Sequence, residues 1–123
     1  MQNIQSIYTS MGIDNEVYAY GSKILENLKE TDDFFIVEMG ARHLGDIEYL
    51  SKFVGVDYGI ITPIGNCHLE TFGSLENIEN EKYRLCKEAK DYVVFNGKNS
   101  STKKLWQNYP NKKYLVCEKV SLL

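Results

Sequence analysis

Short apolar runs alternate with amphipathic helical segments along this chain. Runs of this length, bounded by turn residues, are typical of buried strands. Because strands that alternate with helices build βαβ units, the pattern predicts an α/β fold, in which a parallel sheet has helices on both of its faces. The four runs are FFIVEM from Phe34, YGIIT from Tyr58, YVVFN from Tyr92 and YLVCE from Tyr114.

The segments between the runs carry apolar residues at helical spacing. Asp46 is the predicted N-cap of the second helix, Gly55 its stop, and Ser74 the N-cap of the third. The predicted helices span about residues 14–28, 46–54, 75–90 and 101–108.

Length, charge and cysteine content exclude several classes of protein. The 123 residues suffice for one small domain over residues 1–123, and 43% hydrophobic with 25% charged residues is typical of a soluble globular protein. A net charge of −3 gives no electrostatic basis for binding nucleic acid. No apolar run approaches the roughly 20 residues of a membrane span. Three widely spaced cysteines and no secretory signal predict a reducing, cytoplasmic location.

Polar residues stand where the first three apolar runs end. Glu38 lies at the end of the first run, His68 follows the second through a short loop, and Asn96 ends the third. Because ligands bind outside the carboxyl ends of parallel strands, we expect the three to face one crevice. A buried carboxylate is costly unless it is paired or bound to a metal, so Glu38 and His68 together favour a divalent-cation site. Taken singly, each residue has a structural interpretation: Glu38 is equally well explained as a strand-end residue that faces water, and His68 as a capping or core histidine.

Lys82 occupies the apolar stripe of the third predicted helix, where an aliphatic residue would be expected. One interpretation is that its stem packs on the core while the ammonium group reaches water. The other is a desolvated lysine whose pKa is lowered by burial. A neutral amine can react with carbon dioxide to give a carbamate, which is an anion and a metal ligand. The residues alone leave both interpretations open.

Several motifs of nucleotide-binding proteins and hydrolases are missing from the sequence. It contains no G-x-x-x-x-G-K-[ST] phosphate loop, no G-x-S-x-G and no Rossmann glycine pattern. The residues therefore give no phosphate-cradling loop and no serine nucleophile.

Two segments resemble the central, ATP-binding domain of the Mur ligases. They are VEMGARHLGDIEYL and GIITPIGNCHLETFGSLENIENEKYRL, and the likeness covers about residues 8–105. It is strongest to the Mur ligases that add D-alanyl-D-alanine to a UDP-muramoyl tripeptide. By this resemblance Glu38 holds the Mg²⁺ that bridges the ATP phosphates, His68 holds a second Mg²⁺, and Lys82 is carbamylated to support that second metal. Asn96 ends a strand in VVFNGKN that resembles the family's strand after the metal-binding helix, which implies a contact to the nucleotide.

The resemblance implies an ATP-dependent amide ligase of peptidoglycan precursor synthesis. ATP would phosphorylate the UDP-linked peptide, and the amine of D-alanyl-D-alanine would attack the acyl phosphate. The family's first strand and phosphate loop are expected upstream of residue 1, so we expect a partial P-loop-type domain that is inactive alone and that self-associates to cover the vacant sheet position. The alternative is a non-catalytic remnant that serves as an interaction or regulatory module.

Overall fold

The structure, a computed structural model, describes residues 28–117 and the backbone of residues 6–11. The helix predicted for residues 14–28 lies outside the described residues except for its last position. The strands are β1 (Ser6–Met11), β2 (Phe34–Met39), β3 (Gly59–Ile61), β4 (Val93–Asn96) and β5 (Lys113–Val116). The helices are α1 (Asp46–Val54), α2 (Leu69–Phe72), α3 (Leu75–Glu88) and α4 (Ser100–Asn108).

The described strands form two parallel sheets. β1 pairs with β2, and Ser10 lies opposite Glu38 in their register. β3, β4 and β5 form the second sheet in chain order. All four apolar runs are therefore strands, as predicted, but their backbone hydrogen bonds do not join them into one ladder. β1 is a strand that the sequence did not predict.

The helices α3 and α4 cover one face of the β3–β5 sheet and pack against each other. Val93 and Phe95 point into this layer and are fully buried, and Ile78, Cys86 and Leu105 pack around them. Parallel strands that follow one another in chain order are joined by right-handed crossovers, so successive helices lie on the same side of the sheet. In the described part of the chain, the helices that contact β3–β5 therefore lie on one face, and helices on the other face stay a prediction.

Local capping explains where three of the described helices begin or end. The Ser74 hydroxyl accepts a hydrogen bond from Asn77 N at 3.1 Å, which confirms the predicted start of α3. Asn99 caps α4 in the same way through the N–H of Thr102. Gly55 ends α1 as predicted, and its φ of 72° is a left-handed conformation that glycine adopts without strain.

The prediction that Asp46 caps α1 is wrong. Asp46 is the first helical residue, and its carboxylate accepts hydrogen bonds from the N–H groups of Arg42 and His43, both at 2.9 Å. The cap position is Gly45, which has no side chain that could accept a bond. The buried carboxylate of Glu81 on α3 instead accepts hydrogen bonds from the backbone N–H groups at the start of α1.

None of the helices in the described part of the chain is long and apolar enough to cross a membrane.

Candidate functional site

His68 is held in a strained backbone conformation at the start of α2. Its φ is 60°, and it is the only non-glycine residue with positive φ in the described segments. An L-residue in this region costs energy, and such strain persists where the surrounding structure imposes it, often at functional sites. The imidazole is half-exposed, with Nδ1 3.8 Å from Glu70 Oε1. The loop after β3 therefore presents His68 to solvent.

The side chain of Asn99 holds the loop that leads to His68 in place through hydrogen bonds. Its side-chain Oδ1 accepts a hydrogen bond from Ile64 N at 3.2 Å, and its Nδ2 donates to Ile64 O at 3.0 Å. The same Oδ1 caps α4 through Thr102 N. One amide thus joins the loop after β3 to the start of α4. Sequence reasoning missed this residue, although an Asn directly before a helix is a capping signal.

Asn96 lies at the carboxyl end of β4, next to the strand that leads to His68. Its side-chain Oδ1 accepts a hydrogen bond from Lys98 N at 2.8 Å, and its backbone carbonyl accepts one from the Thr102 hydroxyl. Because β3 and β4 are parallel neighbours, Asn96 and the loop that carries His68 lie at the same edge of one sheet, as predicted.

Gly97 allows the chain to leave this edge of the sheet. A Cβ atom at this position would stand 2.5 Å from Cys117 Sγ and 2.9 Å from Leu115 Cγ. A residue larger than glycine would therefore displace the Leu115 and Cys117 side chains at the end of β5.

Glu38 stands at the end of β2, in the other described sheet, and its side chain is exposed. The expectation that one sheet edge carries Glu38, His68 and Asn96 is met for the last two, and for Glu38 it stays a prediction. The loop after β2 is tied to α3, because Glu81 accepts hydrogen bonds from Gly45 N at 2.9 Å and Ile47 N at 2.8 Å. Sequence reasoning also missed this residue, which directly precedes Lys82.

Lys82 lies on α3 and is half-buried, so its side chain is neither fully exposed to water nor fully removed from it. Nowhere in residues 28–117 do three or more His, Cys, Asp or Glu side chains cluster closely enough to hold a metal. Mg²⁺ does not require such a cluster, because it is usually held by one or two carboxylates together with water and substrate phosphates. The exposed carboxylate of Glu38 fits this mode of binding, whereas the imidazole of His68 is not an oxygen ligand.

Comparison with known protein families shows to which family the chain belongs. The profile described as the Mur ligase middle domain matches residues 5–120. The chain belongs to this family. The resemblance seen in the sequence is thereby confirmed, and it extends over nearly the whole chain.

Among Mur ligases, the chain is similar to ligases that act on D-alanyl-D-alanine. It is 38% identical over 58 residues to the UDP-N-acetylmuramoyl-tripeptide–D-alanyl-D-alanine ligase of Haemophilus influenzae. This match covers 47% of the chain and 13% of that relative. The chain thus corresponds to a small part of the length of the curated relatives.

Solved structures of Mur ligases share the fold. MurF from Acinetobacter baumannii superposes with a TM-score of 0.77 at 21% identity, over 91% of this chain and 25% of that one. MurF from Thermotoga maritima, solved in complex with ADP, gives a TM-score of 0.75 at 26% identity, over 91% of this chain and 26% of that one. The predicted α/β fold with a parallel sheet and flanking helices is confirmed.

Proposed function

We propose that this chain forms part of the ATP-dependent site of a ligase that joins D-alanyl-D-alanine to a UDP-muramoyl peptide in peptidoglycan precursor synthesis. The observation that carries the proposal is the family match over residues 5–120, together with a similar relative named for this reaction. The ADP complex of the Thermotoga maritima relative supports the use of ATP.

The proposed roles follow the positions of four side chains. Glu38 and His68 hold Mg²⁺, Lys82 acts as a carbamate that supports the second metal, and Asn96 contacts the nucleotide. The strained backbone at His68 supports a role for its imidazole, since a left-handed histidine has no benefit for stability. Lys82 is half-buried on α3 and directly follows Glu81, which fixes the loop after Glu38.

The proposed reaction has two chemical steps. ATP transfers its γ-phosphoryl group to the carboxylate of the UDP-linked peptide, and the amine of D-alanyl-D-alanine then displaces phosphate from the acyl phosphate. Bound Mg²⁺ would offset the negative charge that accumulates between two anionic reactants. The chain's own contribution is positional: the Asn99 tether fixes the loop before His68, and Glu81 fixes the loop after Glu38.

A chimera tests the proposal. Residues 34–108 would replace the aligned segment of MurF from Thermotoga maritima, and ADP release would be measured with both UDP-muramoyl tripeptide and D-alanyl-D-alanine present. We expect release that requires both substrates. His68→Ala and Lys82→Ala should each reduce the rate by at least about a hundredfold, because metal and charge positioning act on the transition state.

Matched variants separate the site from general surface effects. His43→Ala replaces the second of the two histidines, and Lys87→Ala replaces an exposed lysine on the same helix as Lys82. Both should keep the parent rate. A folded chimera that works equally well without His68 and Lys82 would rule out the proposed roles.

One observation favours a second candidate function, a non-catalytic interaction or regulatory module. Glu38 belongs to β2 in one described sheet, and His68 follows β3, which belongs to the other. In this alternative the two side chains do not hold metals at one nucleotide. A folded chimera without substrate-dependent ADP release would support this alternative.

A further inference from the structure

The loop between β2 and α1 is held in place by two buried carboxylates. That of Asp46 accepts hydrogen bonds from the backbone N–H groups of Arg42 and His43, both at 2.9 Å. That of Glu81 on α3 accepts the N–H group of Gly45, also at 2.9 Å. The loop backbone is therefore fixed, and these three N–H groups are already occupied. A ligand at this loop would be bound by side chains.

Arg42 gives this loop a permanent positive charge, and its side chain is exposed. Among the described residues its guanidinium group has no carboxylate partner, because its hydrogen bond to Asp46 comes from the backbone. The other arginine of the chain, Arg84, is paired: its Nη1 lies 3.3 Å from Glu48 Oε2. Arg42 thus keeps its charge and its side-chain N–H donors available for a ligand.

The loop that carries Arg42 is attached to both elements of the proposed site. Arg42 follows Glu38 by four residues, beyond the carboxyl end of β2, and ligands of parallel sheets bind at such ends. The residue that holds the loop on α3 is Glu81, which directly precedes Lys82. The positive charge of Arg42 therefore lies in a rigid segment between the strand of Glu38 and the helix of Lys82.

The acceptor substrate of the proposed reaction brings a charge that the proposed metal-binding residues do not neutralise. D-alanyl-D-alanine carries a free carboxylate as well as the amine that reacts. Glu38 is itself an anion, and a carbamate on Lys82 would be another. Bound Mg²⁺ would balance the phosphates of ATP. A guanidinium group binds a carboxylate through two parallel hydrogen bonds, which fix the orientation of the ligand.

We propose that Arg42 binds an oxyanion of the ligase's substrates, and that this oxyanion is the free carboxylate of D-alanyl-D-alanine. The inference rests on the proposed function, from which it takes the substrates. Arg42 is then a specificity-determining residue, which selects acceptors that have a free carboxylate and holds the dipeptide while its amine reacts. Phosphate groups offer the same oxyanion chemistry, so the experiments distinguish the two sources.

Nuclear magnetic resonance of the full chain tests binding without turnover. The two arginines give two side-chain Nε–H signals, and Arg42→Lys assigns them. We expect D-alanyl-D-alanine to shift the Arg42 signal in a saturable manner. D-alanyl-D-alaninamide, which lacks the carboxylate, should bind at least about tenfold more weakly. Arg84 is the internal control, and its signal should not move.

Two results of this titration would overturn the proposal. One is an Arg42 signal that does not move at millimolar dipeptide. The other is an equal response of Arg42 and Arg84, or an equal response to the dipeptide and its amide, because either would show that no specific carboxylate site exists at Arg42.

Steady-state kinetics of the MurF chimera separates the possible oxyanions. Arg42→Gln should raise the KM for D-alanyl-D-alanine at least about tenfold and leave the KM for ATP and for the UDP-muramoyl peptide unchanged. Arg42→Lys keeps the charge but loses the paired geometry, and should recover part of the loss. Arg84→Gln is the matched control and should leave all three KM values unchanged. A rise confined to ATP or to the UDP-muramoyl peptide would overturn the dipeptide carboxylate as the ligand.

The two experiments separate failure of this inference from failure of the proposed function. A folded chimera that releases no ADP fails as a ligase, while the arginine signals of the full chain still report whether Arg42 binds the carboxylate. A chimera that needs both substrates but has the same KM values after Arg42→Gln keeps the proposed function and refutes the role of Arg42. Circular dichroism of every variant establishes that only folded proteins are compared.

Discussion

The carboxylate of Glu81 caps a helix to which it does not belong: its Oε2 lies 2.9 Å from the backbone nitrogen of Gly45. The second oxygen accepts the N–H of Ile47 at 2.8 Å. A helix start leaves backbone donors unpaired and attracts negative charge, so a buried carboxylate is well placed there. This contact joins α1 to α3 across the interior and fixes the loop between Glu38 and α1.

Glu81→Ala should destabilise the chain by about 3 kcal/mol, because two N–H groups lose their acceptor and a buried side chain is removed. Glu81→Gln keeps one carbonyl oxygen and should lose less. Urea unfolding measures both. The control Asn80→Ala, an exposed neighbour on α3, should change stability by less than about 0.7 kcal/mol. Equal losses for Glu81→Ala and Asn80→Ala would show that the cap is unimportant.

His68→Gly should leave stability unchanged or raise it by up to about 1 kcal/mol, because glycine adopts the left-handed conformation without the steric cost of a Cβ. His43→Gly, at a position without positive φ, should instead lower stability by about 0.5–1 kcal/mol. Urea unfolding of both variants shows whether each substitution raises or lowers the free energy of unfolding. A clear loss of stability in His68→Gly would mean that the imidazole itself stabilises the fold.

The ion pair between Glu79 and Lys104 should make stability fall in acid. Burial raises the pKa of the Glu79 carboxyl group, but hydrogen bonds from Lys104 and Ser101 and the charge of Lys104 outweigh it, and the net pKa is lowered. A lowered pKa contributes stability that is present above the unfolded-state pKa of about 4.3 and is lost as pH falls through the folded-state value. Lys104→Ala should therefore flatten the acid limb of the unfolding temperature against pH.

Lys103→Ala, on the exposed neighbouring position, is the matched variant and should keep the acid limb of the parent. The pKa of Lys104 is raised, chiefly by its hydrogen bond to Glu79. The same pair should thus also lose stability at alkaline pH, as pH rises through the folded-state pKa of the lysine. Parallel pH profiles for the parent and Lys104→Ala would contradict the assignment.

The three cysteines should differ in reactivity. Burial raises the pKa of the Cys86 thiol to about 12, while Cys67 and Cys117 are exposed. Since the thiolate is the reactive form, iodoacetamide at pH 8 should modify two thiols quickly and Cys86 only when the chain unfolds. Intact mass over time, with and without urea, measures this. Modification of all three at one rate in the folded chain would be the opposing result.

The chain alone should not bind ATP in the micromolar range. Tight nucleotide binding in such folds depends on backbone N–H groups of a glycine-rich loop and one lysine, and the sequence lacks this motif. Calorimetry with ATP and Mg²⁺ is the measurement, with the MurF chimera as positive control. Micromolar binding by the chain would reveal a phosphate site that the sequence motifs do not indicate.

The sequence predicted those parts of the fold that depend on neighbouring residues. The apolar run from Phe34 became β2 with the predicted bounds, and Ser74 caps α3 through a residue three positions away. The segment SIYTSM of β1 was missed because serine and threonine interrupt its apolar pattern. The pairing of strands into two sheets also depends on contacts between distant residues, which periodicity does not contain.

In the candidate site, too, the features that depend on neighbouring residues were predicted and those that depend on distant residues were not. Glu38 and Asn96 were placed at strand ends correctly, because strand ends are local features, and His68 follows β3 through a loop as predicted. The two residues that position the loops were not found. Glu81 is 36 residues from Gly45 in sequence, and Asn99 is 35 residues from Ile64. Their side chains act on backbone groups that no motif spacing connects to them.

The order β3–β4–β5 has a consequence for how this chain folds. Each strand pairs with the next strand along the sequence, and the paired residues are 34 positions apart for β3–β4 but only 20 apart for β4–β5. Contacts at smaller sequence separation cost less chain entropy and form earlier. We expect β4, α4 and β5 to acquire protected amides first during refolding, with α1 docking afterwards through Glu81, which is 36 residues from Gly45. The cap that Glu81 forms on α1 would then be one of the last contacts made during folding.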